Sequence, residues 1–325
     1  MSEVYFKDIN QIKGPLLGLL KKQGYQAVDM HYHSKFSVDG LSPIGSVIEK
    51  CRKENTGTSF TDHNHIDGSL EGLRLAGKNV FVVPGIELTC HNGVHVLLHF
   101  ANVKEYQEFY HKDMKKKIVA NPWFLDIDHS EAIEMARDWN CLITTPHPYG
   151  PGFCGIHKFG VSPAIVKKVD AVEVLNGCCK GEMNPKAIAW AKKVNKGFTG
   201  GSDGHCLQEH GNSLTFCQAE TREQFLEEIR QRRSIVIGKE EGLLEDGING
   251  AEKFIREEKK APVKQIEKMW KDRGLLEWNY LKAKIFGTQG KHILHHYHAH
   301  HQELNMKRIS AHPHTAHLVR YMKKK

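Results

Sequence analysis

Long apolar runs are missing from these 325 residues. No stretch approaches the ~18 apolar residues of a membrane-spanning helix, so no membrane partner is expected. Paired cysteine spacing is missing as well. Cys51, Cys90, Cys141, Cys154, Cys178, Cys179, Cys206 and Cys217 form no CxxC pair. A chain of this length needs no disulfide staples, so reduced thiols and a cytoplasmic location are expected. The opening "MSEVYFKDINQIKGPLLGLLKK" has only a short apolar patch at 16–20 and no small-residue cleavage site after it. It reads as a helix laid against a domain, not a signal peptide. No internal repeat is visible.

What is present suits a globular protein of one large or two smaller domains: 40% hydrophobic and 26% charged residues. The net charge of +8 is unevenly placed. Residues 1–246 carry 29 Lys and Arg against 31 Asp and Glu; residues 247–325 carry 17 against 7. Histidine divides 13 to 9 over the same parts. The two parts are expected to do different jobs.

Short apolar runs at 27–31, 58–61, 80–84, 94–100, 141–145, 171–175 and 197–200 alternate with amphipathic stretches. The runs are nearly continuous, as in strands buried on both faces. "SPIGSVIEKCRKEN" offers a serine cap with Pro at the first helical position. "NPKAIAWAKKVNKG" offers Asn184 as cap, Pro185 and a closing Gly197. Seven β-then-α units predict parallel strands with crossover helices, hence an α/β barrel or a doubly wound sheet. After Gly238 the alternation stops. Residues 251–286 read as basic helices with Trp270, Trp278 and Leu281 as contact positions, followed by a histidine-rich run.

Nearly every strand candidate ends in a ligand-type residue. The first carries "DMHYH", with His31 and His33 at i and i+2 and so on one face. Asp39 follows. Then come Asp62 and His63 in "FTDHNH", Glu87 in "VVPGIELT", His95 in "VHVLLHF", His147 in "TTPHPYG", Glu173 and Asn176 in "VEVLNG", and Asp203 and His205 in "GGSDGH". Any one of these could be a turn or a hydrogen-bonded core histidine. Their repetition at successive strand ends points to metal. Imidazole and carboxylate suit Zn, Mn and Fe, and the set exceeds the ligands of one catalytic zinc, so two or three divalent ions are expected.

The order HxH, Asp-Gly, TDHN, PGIE, His-Val-Leu-Leu, His-Pro, ExxN and GSDxH resembles the polymerase and histidinol phosphatase (PHP) family, from about residue 27 to about 237. The resemblance implies a distorted seven-stranded (β/α)7 barrel over 27–240. It would stand between a helical lead-in, 1–26, and a helical, basic, His-rich extension, 241–325. It implies a trinuclear centre that hydrolyses phosphate esters. His31 and His33 would share one metal with Glu87 and Asp203. Asp39, His63 and His205 would surround a second, and His95 and His147 a third with Glu87 bridging. Two features depart from the pattern. Asp39 lies six residues after His33, and the connection between Glu87 and His95 is short. His91 therefore competes with His95 as fourth-strand ligand; His95 is preferred because it opens the apolar run.

The expected reaction is attack of a metal-bridging hydroxide on phosphorus. Asp62 is assigned either the catalytic acid or the orienter of a histidine. Lys35 is a candidate phosphate contact and Asn176 a candidate substrate contact. Cys178, Cys179 and Cys206 are read as small buried hydrophobes without a thiol role. The expected substrate is a phosphorylated small molecule or nucleotide. Rivals are hydrolysis of C–N bonds at the same metals and a nucleic-acid-associated protein. In the latter, the basic tail with Trp270, Trp278, Tyr280 and Tyr297 would contact phosphates and stack on bases. The tail's His292, His295 and His296 are at helical spacing for a metal. Oligomeric state stays open.

Overall fold

The computed structural model describes residues 1–8, 15–37, 39–118, 124–152 and 154–240. The extension at 241–325, with its expected helices and histidine-rich run, lies outside the described residues. Among the described residues, no helix is long and apolar enough to cross a membrane.

The fold is α/β with two mixed five-stranded sheets. The first has the order β1 (Glu3–Phe6), β10 (Ile235–Gly238), β9 (Ser213–Gln218), β2 (Tyr25–Tyr32), β3 (Gly57–Phe60). The second runs β4 (Gly85–Thr89), β5 (His95–Phe100), β6 (Cys141–Thr145), β7 (Ala171–Asn176), β8 (Gly197–Gly201). Isolated bridges stitch them: Thr58 to Val82 and His63 to Glu87 on one side, Tyr32 to Gly204 on the other. The main helices are α1 (Pro15–Lys22), α2 (Ile44–Glu54), α3 (Asp67–Ala76), α4 (Val103–Phe109), α5 (His129–Arg137), α6 (Pro163–Lys168), α7 (Met183–Val194) and α8 (Arg222–Arg230).

All-parallel pairing does not hold. β4 pairs antiparallel with β5, β5 with β6, β9 with β2, and β10 with β9. The reason for the first is chain length. Only residues 90–94 separate β4 from β5, and a parallel crossover needs a dozen or more. The chain reverses in a tight turn instead, with Cys90 N donating to Val94 O and Gly93 at φ 86. The strand expected at 80–84 is displaced to Gly85–Thr89. Val82 and Val83 are apolar because they are buried in core clusters, without joining a continuous ladder. The lead-in contains the strand Glu3–Phe6 as well as a helix, because β10 offers it a parallel edge.

Two core clusters lie along one face of β2. Val28 and Met30 pack with Phe225, Leu226 and Ile229 of α8. Tyr32 packs with Ile44, Val47 and Ile48 of α2 and with Phe60. Helix ends are capped by side chains where chain direction matters. Asp128 and Glu131 form a capping box on α5, and Thr221 and Gln224 form one on α8. Asn184 is not the cap of α7, which begins at Met183. Its amide accepts from Asn176 N at 3.0 Å and donates to Asn176 O at 3.1 Å. The helix start is thereby tied to the end of β7.

Candidate metal centre

Alternation along β2 builds the first part of the site. Val28, Met30 and Tyr32 go to core clusters, while His31 and then His33, just past the strand, converge with Nε2 atoms 3.2 Å apart. Gly201 permits this. A Cβ there would stand 2.3 Å from His31 Cβ and 2.5 Å from its backbone nitrogen, so only glycine lets the end of β8 lie against β2.

Glu87, delivered by β4, is buried and ringed by five imidazoles. Its Oε1 lies 3.3 Å from His31 Nε2, 2.9 Å from His95 Nδ1 and 3.2 Å from His147 Nε2. Its Oε2 lies 3.2 Å from both His33 Nε2 and His63 Nδ1. Burial pushes the carboxyl's pKa up, but His95, His31 and His63 outweigh it and hold the group well below the usual range. Asp203 adds a second carboxylate, 3.3 Å from His31 Nε2 and 3.2 Å from His33 Nε2. Asp39 adds a third, 2.8 Å from His205 Nε2 and 3.5 Å from His63 Nε2. The His205 ring stacks on His33 with centroids 4.6 Å apart.

Among the described residues, four overlapping groups could each hold a cation. They are His31, Glu87 and His147; His31, His33 and Asp203; His33, Asp39 and His63; and His63, Glu87 and His95. Eight of the nine residues expected as ligands fall in these groups, and His205 joins through Asp39. The structure brings His95 to Glu87, Nδ1 to Oε1 at 2.9 Å. His95 and His147 fall in separate groups rather than one, joined by Glu87.

The backbone is strained where two of these groups are presented. His147 sits at φ 25 and Asp203 at φ 52, in a region that non-glycine residues rarely occupy. Hydrogen bonds hold both in place. His147 N donates to Glu173 Oε2 at 2.8 Å, and Asp203 N donates to His31 O at 2.8 Å.

A second layer fixes the imidazoles. Glu173 Oε1 is 3.0 Å from His31 Nδ1, leaving the opposite ring nitrogen aimed at Glu87 and Asp203. Thr89 Oγ1 is 2.8 Å from His63 Nδ1. Asn176 is fully buried and donates to Glu173 Oε2 at 2.9 Å and Asp203 Oδ2 at 3.1 Å. Its amide nitrogen thereby bridges two carboxylates of the site. Asp62 faces the loop after the HxH. It is fully buried, and its two oxygens accept from Ser34 N at 2.6 Å and Ser34 Oγ at 2.8 Å, bracing the loop after the HxH. Lys35 pairs with Glu71 at 3.5 Å and lies over the Phe36 ring. Cys178 Sγ donates to Asp203 O at 3.2 Å, and Cys179 and Cys206 are buried, as small hydrophobes would be. Burial pushes the Cys179 thiol far up, which argues against a thiolate.

The histidines divide electrostatically. Burial lowers the pKa of His33, but hydrogen bonds to Asp203 and Glu87 overcome it and raise the group to about 10. His31 is likewise raised, its burial outweighed by Asp203, Glu87 and Glu173. His95 goes the other way: burial lowers it to about 4 despite Glu87. His99 shares the His95 face of β5, yet its Nε2 is spent on Met30 O at 2.9 Å.

Two supporting residues escaped sequence reasoning. Ser37 Oγ donates to Asp39 Oδ1 at 2.7 Å and lies 3.2 Å from His33 Nδ1, on a loop whose composition marks only a turn. Asp29 is fully buried at the head of the same alternating triplet as His31 and His33. Its period-two spacing was the available signal. Burial raises its pKa to about 6 against the pull of the Ser202, Gly211 and His31 donors.

Residues 181–234, which include Asp203 and His205, match a family model described as PHP-associated. The chain is 30% identical over 190 residues to an uncharacterised protein of Methanocaldococcus jannaschii, covering 57% of this chain and 68% of that one. Solved structures of two kinds are similar in fold. One is a two-domain protein containing a predicted PHP-like metal-dependent phosphoesterase from Bacteroides vulgatus, at TM-score 0.51 and 19% identity, covering 66% of each chain. The other is the lesion-specific endonuclease PfuEndoQ of Pyrococcus furiosus, at TM-score 0.52 and 19% identity, covering 64% of this chain and 56% of that one. An Endonuclease Q structure with a 27-mer duplex matches at TM-score 0.52 and 19% identity, over 64% of this chain and 57% of that one.

Proposed function

Since this chain belongs to the polymerase and histidinol phosphatase family, we propose that it is a metal-dependent phosphoesterase. The observation that carries the reading is Glu87, one buried carboxylate facing five imidazoles from four segments of the chain. Neutral imidazole nitrogens and carboxylate oxygens at this spacing repel unless protons or cations stand between them. Nitrogen and oxygen donors of this kind suit zinc, manganese or iron.

Within this reading the two stitched sheets form the distorted (β/α)7 barrel of the family. The centre is trinuclear: His31, His33 and Asp203 would hold one ion, Asp39, His63 and His205 a second, and His95 and His147 a third, with Glu87 shared. Such ions, when bound, activate water near neutral pH and neutralise charge on phosphoryl oxygens. The protein's own part is preorganisation. Glu173 orients His31, Thr89 orients His63, and Asn176 holds Asp203 in its strained conformation. Lys35, on the loop after His33, would reach phosphate only by leaving Glu71.

The test is elemental analysis of purified protein beside a phosphoester panel, wild type against His31→Ala. More than one metal per chain and a phosphatase activity lost in the variant are expected. Less than one metal per chain after reconstitution sinks the multinuclear centre. Turnover of model amides with no turnover of phosphoesters favours C–N hydrolysis.

A nucleic-acid substrate is the second reading, favoured by the likeness to an endonuclease fold and by 17 Lys and Arg against 7 Asp and Glu in residues 247–325. Binding of DNA or RNA that weakens steeply with salt and disappears on deleting that segment supports it. No binding at low salt ends it. A cytoplasmic setting belongs to the same proposal.

A further inference from the structure

We infer that Asp29 is a positioning residue for the metal centre, locking the first and last candidate ligand segments together; this rests on the metal-binding reading above. Its Oδ1 accepts from His31 N at 3.2 Å and from Ser202 N at 2.9 Å. Its Oδ2 accepts from Ser202 Oγ at 2.6 Å and from Gly211 N at 2.8 Å. One carboxylate therefore gathers four donors from three separate places: β2, the turn after β8, and the approach to β9.

The consequence for the site is geometric. His31 and Asp203 share a candidate group, yet they are 172 residues apart in sequence. Asp29 binds the backbone of His31 and that of Ser202, the neighbour of Asp203. The Ser202 hydroxyl it receives also accepts from Gly204 N at 3.1 Å, so both flanks of Asp203 are tied to one anchor. Asp203 holds a backbone conformation that costs free energy, and the surrounding bonds must over-determine it. A charged acceptor without access to water makes stronger hydrogen bonds than a neutral one, which is why a carboxylate suits this place.

Asp29→Asn tests the role, because it keeps the shape but turns one acceptor into a donor facing N–H groups. Cobalt(II) is the probe, followed by its visible spectrum and by calorimetric titration of the full chain. Asp29→Glu and Ser202→Ala accompany it, with thermal melts in EDTA to read apo stability. The expected result is a folded Asn variant whose tightest cobalt site weakens by roughly 10–100-fold, the range for outer partners of metal ligands. Its spectrum changes in the same step. Ser202→Ala should show a smaller shift in the same direction. A wild-type protein that binds no cobalt overturns the metal-binding reading itself. Wild-type binding with an unchanged spectrum and affinity in Asp29→Asn overturns this inference alone, whether or not the melt has moved. If the Asn variant does not fold, Ser202→Ala decides: normal cobalt affinity and spectrum there count against the role.

Discussion

Glu87 decides the chemistry of the site at the scale of a single residue. It belongs to two of the four candidate groups and touches all five of its imidazole neighbours at 2.9–3.3 Å. Glu87→Gln should remove at least one metal per chain by mass spectrometry. It should lower phosphoester turnover by more than the roughly 100-fold seen at the upper end for outer partners; unchanged metal content would show that Glu87 is not a shared ligand. Protons and metals compete for the same nitrogens. His33, held at about 10, is protonated at neutral pH without metal. Binding must therefore release protons, and affinity must rise as pH rises from 6 to 8, by up to about tenfold per unit for each proton displaced. Calorimetry in buffers of different ionisation enthalpy reads this directly. Enthalpies that do not vary with buffer would contradict it. The HxH pair and His63 were legible in sequence because they sit at or just past an apolar strand's end, whereas Asp39 lies on the following loop and Glu87 inside β4. The work of Asp62 was not legible. Sequence places it beside His63 but cannot show that both oxygens are spent on Ser34.

Element by element, six of the seven expected strands are recovered in place; the one expected at 80–84 is not, and the strand there is Gly85–Thr89. Their directions are recovered only in part: β2 with β3, β6 with β7 and β7 with β8 pair parallel as expected, but β4 with β5 and β5 with β6 do not, because apolar runs look alike whichever way a strand points. The signal for direction was connection length, and the short link at 90–94 already excluded a crossover. Ser213–Gln218 and Ile235–Gly238 went unseen because neither ends in a ligand-type residue. Two substitutions test the element scale. Gly201→Ala forces a Cβ against His31 backbone and should cost about 1–3 kcal/mol in urea unfolding. Thr221→Ala removes the cap of α8, which packs Phe225, Leu226 and Ile229 under β2, and should cost about 1 kcal/mol. If Gly201→Ala is neutral, the close approach of β8 to β2 is wrong.

Over the whole molecule, metal binding and folding are one equilibrium. Ions that bind only the assembled site stabilise it by about 4 kcal/mol at a thousandfold excess over Kd. For a domain of this size that is a rise in Tm of roughly 10 °C, reversed by EDTA. Identical melts with and without chelator would show that the ligand set is not a metal centre in the folded protein.

The place of β2 between β3 and β9 also sets a clock. The strand that carries His31 finds one neighbour at residues 57–60, soon after its own synthesis, but the other only at residues 213–218. At about 5–20 residues per second of translation, its second edge waits roughly ten seconds or more for its partner. During that interval His31 and His33 are made but Asp203 is not. A nascent chain arrested before residue 203 would carry the first ligands without the last, and the centre becomes loadable only once synthesis has passed residue 205.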